Sequence, residues 1–407
     1  MAENRATGDR FSRSACRHTS TFAMAASPIL AIFVLLLSLL QSPRFADGCF
    51  SSIFSIGDSI ADTGNLLISL HGHHHAGNPP YGETFFHRPT GRFCDGRLIV
   101  DFIAEAMEIP LLRPFLAGPG DLGFRRGVNF AVAGATALDS EFFRDMGLVV
   151  DWTNLSLSVQ LGWFKGLLPS LCSSDFECRE LFSSSLILAG EIGGNDYNYA
   201  FMQGKTLNEI KPFVPKVINA ISAMITGLID LGAKTLVVPS DFPIGCVPGY
   251  LTMFQSSRAE DYNKTTGCIN WLNEFSEYHN NLLKQELERI RVLRPHAIVI
   301  YADYYNAVLS LYSHGRVNFS ACCGGGGYYN WNKLVPCGEK NATACDNPSA
   351  YISWDGMHFT ESTYHAIALG LLEGPYSSPS IREACKIIEP VLQNSQGQQE
   401  EKLYKME

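Results

Sequence analysis

Apolar residues along this chain alternate between two rhythms. Short, mostly apolar runs at Ile53 to Ile56, Gly127 to Val132, Ser185 to Gly190, Lys234 to Pro239 and Ala297 to Tyr301 read as strands buried on both faces. Between them, apolar positions recur every three or four residues and predict helices over 97–107, 158–168, 207–231, 269–292 and 363–372. The stripe is clearest over 207–231, where Ile210, Val214, Val217, Ile218, Ile221, Ile225 and Ile229 share a face. Gly374-Pro375 ends the last helix. Five apolar strands separated by helices predict an α/β protein whose parallel sheet is covered on both sides. Neither a linker nor an internal repeat interrupts the series.

The two ends fall outside this rhythm. Ile29 to Leu40 is a dense apolar run preceded by Arg5, Arg10, Arg13 and Arg17, and Ala46-Asp47-Gly48 offers a small-x-small cleavage pattern. This is the layout of a secretory signal. The rival is an uncleaved anchor, since Phe22 to Leu40 carries no charge; the dense part has only the length of a signal core. The stretch before Met24 is long for a basic leader, so residues 1–48 are read as a signal peptide with an upstream extension. A single domain is expected over 49–380, followed by a polar tail over 381–407 in which Gln393 to Gln399 frays.

Composition narrows the class. With 46% hydrophobic and 17% charged residues among 407, the chain is globular rather than disordered or multi-spanning. Removing residues 1–48 takes away five basic and three acidic groups and moves the formal charge from −9 to −11. Such a chain repels phosphate backbones, which argues against nucleic acid as a partner. Eleven of the 12 cysteines lie beyond residue 48, suggesting disulfides in an oxidising compartment and leaving at least one cysteine over. Cys172/Cys178, Cys246/Cys268 and Cys322/Cys323/Cys337/Cys345 form local groups, although spacing does not fix the pairs. Sequons at Asn154, Asn263, Asn318 and Asn341 behind a secretory leader predict glycosylated surface loops.

In a parallel α/β sheet, ligands bind beyond the carboxyl ends of the strands. Gly57-Asp58-Ser59 follows the first strand, Gly134 follows Asn129 to Ala133, and Gly193-Gly194-Asn195-Asp196 follows the third strand. Asp355 and His358 stand before the last helix. These parts meet the needs of acyl transfer. Ser59 needs a base, which His358 can be, and Asp355 can orient and charge-balance the imidazole. The Ser59 and Gly134 amides with the Asn195 side chain could bind an oxyanion. Taken singly, Gly-Asp-Ser is a common turn, Asn195 suits a turn, and Asp-x-x-His can cap a helix or hold a metal. The ordered set carries the reading.

That ordered set resembles the plant branch of the GDSL esterase/lipase family, part of the SGNH hydrolases, over residues 50–375. The family's four signature residues fall on Ser59, Gly134, Asn195 and His358, and Asp355 matches its acidic triad member. Ala61-Asp62-Thr63-Gly64-Asn65, Thr90 to Arg97, Asn129-Phe130-Ala131 and Trp354 to Glu361 are further plant-type signatures. Ile60 replaces the eponymous Leu, and Ala61 stands where a Gly-x-Ser-x-Gly elbow would need its last Gly. The resemblance implies a three-layer α/β/α, flavodoxin-like SGNH-hydrolase fold with a five-stranded parallel sheet. It also implies a secreted or vacuolar carboxylic-ester hydrolase with an acyl-serine intermediate, acting on small esters of plant specialised metabolites. No metal or organic cofactor and no membrane span after signal cleavage are implied. Acyl transfer to an alcohol, or lipase action on longer chains, would use the same site.

Three further groups are weighed. His71, His73, His74 and His75 are expected in a solvated loop rather than a metal site. Arg88, Arg92 and Arg97 are expected to brace loops against Asp95 and Asp101. Phe86, Phe93, Tyr197, Trp354 and Phe359 could line a pocket. Gly324 to Gly327 lacks the Lys and following helix that a phosphate cradle needs.

Overall fold

The computed structural model describes residues 49–121, 123–313 and 318–387. The leader expected over 1–48 and the polar run 393–399 lie outside them. Five parallel strands form the centre: β1 (Ser52–Ile56), β2 (Gly127–Asn129), β3 (Ser185–Ala189), β4 (Thr235–Pro239) and β5 (Ile298–Ala302). Their order is β2-β1-β3-β4-β5, the doubly wound flavodoxin-like arrangement. Ile53 stands opposite both Gly127 and Leu186, Leu186 opposite Thr235, and Thr235 opposite Ile298. A separate ribbon pairs β6 (Cys323–Gly324) with β7 (Thr343–Ala344), and β8 (Ser377–Ser378) adds an antiparallel edge to β5. The expected five-stranded parallel sheet thus carries a sixth, short strand.

Strand side chains alternate between two cores, as the pleat requires. Phe54, Ile187, Leu236 and Val299 pack under α1 (Leu157–Leu171), α2 (Val214–Asp230) and α3 (Asn270–Leu293). Ile53, Leu186, Val237 and Ile300 pack under the helix Ile99–Ala106, the helix Tyr304–Ser313 and α4 (Glu361–Glu373). The helix expected over 207–231 is interrupted. Leu207–Ile210 passes through a tight turn at Lys211–Phe213 before α2 begins. Pro212 and Pro215 lack the N–H that a continuous ladder would need. This stretch is apolar and long enough to cross a bilayer, yet Val217, Ile221, Ile225 and Leu228 are buried in the protein core.

Four disulfides fall within the expected local groups: Cys172–Cys178, Cys246–Cys268, Cys322–Cys345 and Cys323–Cys337. A fifth, Cys49–Cys385, joins the two ends of the described residues and was not foreseeable from local spacing. Among the described residues, Cys94 is the one cysteine left as a free thiol, and it is buried. Residues 381–387 are helical with Ile381 and Ala384 buried, so the packed chain runs past the boundary expected at 380.

Candidate active site

The strand order changes direction at β1, whose neighbours are β2 and β3, and the candidate residues gather beyond the carboxyl ends there. Gly57 follows β1 and lies against another backbone: a Cβ on it would lie 3.0 Å from the Glu191 carbonyl oxygen. The Gln160 side chain, on α1, clamps the same residue by accepting from the Gly57 amide at 3.0 Å and donating to its carbonyl at 2.8 Å. The chain then turns, and Ser59 emerges 6% exposed at the wall of a cavity of about 510 Å3.

His358 reaches Ser59 from the other end of the domain. Its Nε2 lies 2.8 Å from Ser59 Oγ, and its Nδ1 lies 2.7 Å from Asp355 Oδ2. This is the geometry of a Ser-His-Asp triad. Asp355 accepts four hydrogen bonds. Oδ1 receives the Met357 and His358 amides at 3.0 and 2.8 Å, while Oδ2 receives His358 Nδ1 and, at 2.8 Å, the Tyr81 hydroxyl. Burial alone would raise this carboxyl; the His358 ring and these donors hold it well below the usual range. The imidazole therefore faces an ionised partner at neutral pH.

The other signature residues gather around the serine, with one qualification. Asn195 opens the helix Gly194–Met202 beyond β3 and lines the cavity. Its Nδ2 donates to Asp58 Oδ2 and to the Ala135 carbonyl, both at 3.1 Å, so both its hydrogens are engaged in the resting site. Gly134 does not itself line the cavity. It lies behind Trp152 and Tyr199, which do, and its carbonyl accepts the Tyr199 hydroxyl at 3.1 Å. Its φ is +79°, and a Cβ there would meet Trp152 Cβ at 2.9 Å, so glycine is required. Among the described residues, the Ser59 and Gly134 amides have no hydrogen-bond partner.

The remaining signatures are architectural. Asp62 accepts the Gly64, Asn65 and Leu66 amides and, at 2.8 Å, the Ala133 amide beside Gly134. Asn65 donates to the Asn129 and Ala131 carbonyls, and Asn129 donates back to the Ala61 carbonyl. These amides and carboxyls stitch the Ser59 loop to the Gly134 loop. Arg92 forms a two-pronged, buried pair with Asp101 at 2.8 Å, as the bracing reading anticipates, but Arg97 grips Glu361 and Glu105 instead. Asp95 receives the Glu361 amide at the start of α4.

Several cavity residues were not anticipated. His74 and His75 line the cavity instead of standing in solvent, while His71 and His73 remain exposed. Burial drives the His74 ring down to about 3, with the nearby His75 and His358 rings adding to the effect. Of the aromatics expected at a pocket, only Phe359 lines it; Phe93 backs the His358 ring at 4.7 Å, and Phe86, Tyr197 and Trp354 lie elsewhere. The walls come instead from Tyr81, Trp152, Tyr199, Phe242, Tyr250 and Trp331. Asn154, Asn263, Asn318 and Asn341 are all exposed. Among the described residues, no group of three His, Cys, Asp or Glu side chains is placed to hold a metal ion.

Ser59, His358 and Asp355 thus form a hydrogen-bonded array at the switch point of a doubly wound sheet, and comparison with known proteins gives the family. The chain belongs to the GDSL-like lipase/acylhydrolase family, matching it over residues 53–371. Among its relatives, sinapine esterase of Brassica napus is 51% identical over 345 residues, covering 83% of this chain and 88% of that one. Two GDSL esterase/lipases of Arabidopsis thaliana are 52% identical over 351 residues and 49% identical over 366. Those alignments cover 84% and 88% of this chain and 90% and 91% of the relatives. The protein is an ester-bond hydrolase of the GDSL esterase/lipase type.

Proposed function

We propose that the protein hydrolyses small carboxylic esters through an acyl-serine intermediate on Ser59. The 2.8 Å contact between Ser59 Oγ and His358 Nε2, backed by Asp355 at 2.7 Å, carries this reading. His358 takes the serine proton as Oγ attacks the ester carbonyl. The Ser59 amide, without a hydrogen-bond partner among the described residues, receives the oxyanion, and the equally unpartnered Gly134 amide joins it once the Trp152 and Tyr199 side chains in front of it give way. Asn195 joins them by giving up its bond to the Ala135 carbonyl. His358 then protonates the leaving alcohol, and in the second half-reaction it activates water to release the acid. Asp355 stays ionised throughout and stabilises the imidazolium. No step calls on a metal or organic cofactor.

A cavity of about 510 Å3 walled by aromatic rings suits a compact ester with an apolar or aromatic portion. The sinapine esterase relative favours esters of plant specialised metabolites as the substrate class. Five disulfides support folding in an oxidising compartment, hence secretion or delivery to the vacuole behind the leader in 1–48. Exposure of the four sequons supports their glycosylation. The test is labelling by a fluorophosphonate probe alongside a panel of acetyl, aromatic and long-chain esters. The wild type is expected to label and to favour short or aromatic esters, and Ser59→Ala to lose labelling and at least about 10⁴-fold in kcat. Undiminished turnover by Ser59→Ala would remove that serine from the reaction.

A further inference from the structure

Glu191 takes no part in the acyl transfer described above, yet its carboxyl is 7% exposed at the wall of the same cavity, two residues past β3. It touches both turns that carry the chemistry. Its backbone carbonyl accepts the Asp58 amide at 3.0 Å, next to the serine. Its Oε1 accepts the Gly194 amide at 3.3 Å, next to Asn195. Its side chain also meets the Asp58 carboxyl, whose oxygens accept the Ile60 amide at 3.0 Å and Asn195 Nδ2 at 3.1 Å. We propose that Glu191 is a positioning residue whose protonated carboxyl donates to Asp58, holding the Ser59 turn and the Asn195 turn in register.

The proton is required by electrostatics. Asp58 is 2% exposed, and among the described residues neither acid pairs with a Lys or Arg. Two adjacent buried carboxylates without a counter-ion cannot both stay ionised. The proton sits on Glu191 because both Asp58 oxygens already accept from nitrogen donors. The other groups facing the pair are Asp241 beyond β4, Asp196 and Tyr199 on the helix Gly194–Met202, Tyr197, Tyr250, Tyr304, Tyr364 and His358. The acids strengthen the hold on the proton, and His358 weakens it. Burial, then the Asp58 charge, push Glu191 well above the ordinary carboxylate range. Only alkaline pH removes the proton; two like charges then face each other, and the two turns lose their register. Because the oxyanion donors serve the transition state, the loss falls on kcat rather than KM.

This inference rests on the Ser59 reading, so the two are tested separately. Glu191→Gln and Glu191→Ala are assayed on 4-nitrophenyl acetate from pH 5 to 10, with fluorophosphonate labelling and thermal melts run in parallel. Glu191→Ala is expected to lose about 10- to 100-fold in kcat with KM within about threefold of wild type. Glutamine keeps an N–H donor and cannot ionise. Glu191→Gln is therefore expected to recover kcat to within about threefold of wild type at pH 7 and to lack the alkaline fall of the wild type. Full kcat in Glu191→Ala, a Gln variant as slow as Ala, or matching alkaline profiles for Gln and wild type would overturn the proposal. If Glu191→Ala does not fold, the Gln profile decides alone. Failure of the Ser59 reading shows differently, as Ser59→Ala that still turns over.

Discussion

Asp355 shows how much one side chain depends on its donors. Its carboxylate would be unstable at this depth without four hydrogen bonds, of which the Tyr81 hydroxyl supplies one to the oxygen that also holds His358. Tyr81→Phe should leave the imidazole less firmly oriented and lower kcat/KM about tenfold, the cost of one hydrogen bond to a charged group. Unchanged kinetics would mean that the other three donors suffice. Asn195 poses a different question, since both its amide hydrogens are occupied in the resting site. If one turns to the oxyanion, Asn195→Ala should cost about 10²–10³ in kcat with little change in KM. A rate equal to wild type would mean that Asn195 only ties its turn to Asp58 and Ala135.

At the scale of elements, buried polar side chains tie the loops beyond the strands to one another. The Arg92–Asp101 pair is the plainest case, with side chains 7% and 0% exposed, and Asp101 also receives the Leu98 amide at the start of the helix Ile99–Ala106. Arg92→Ala would strand a buried carboxylate, and urea denaturation should show a loss of about 3–5 kcal/mol. A loss below about 1 kcal/mol would place the pair among ordinary surface bridges. The strands were legible in sequence because each is buried on both faces and so reads as an unbroken apolar run. Ser59 and Asn195 were legible because each stands shortly past the end of a strand, and Asp355 and His358 because they precede the last helix. Tyr81, His74, His75 and Gln160 were not. The first three sit in a loop without periodicity, and Tyr81 meets Asp355 across 274 residues of chain. Gln160 hides within a helical stripe, where a polar residue signals nothing until the Gly57 backbone is seen against it. Pro212 and Pro215 were visible but outweighed by the apolar period of 207–231.

Across the whole molecule, buried acids set the response to pH. Burial raises Asp196 to about 7 and Asp62 to about 6. Each binds its proton more tightly in the folded state than unfolded, where it titrates near pH 4. Stability is therefore lost as pH climbs above about 4, and the loss continues past 7 because Glu191 and Asp241 hold their protons more tightly still. Thermal melts should place the midpoint at pH 5 above that at pH 8 by roughly 5 °C; a flat or reversed trend would show these acids to be ionised in the native protein.

The Cys49–Cys385 bond, with its Cα atoms 5.6 Å apart, turns nearly the whole enzyme into a closed ring of covalent chain. One proteolytic nick in any surface loop between those positions would open the ring without releasing a fragment, and the halves would part only under reducing conditions.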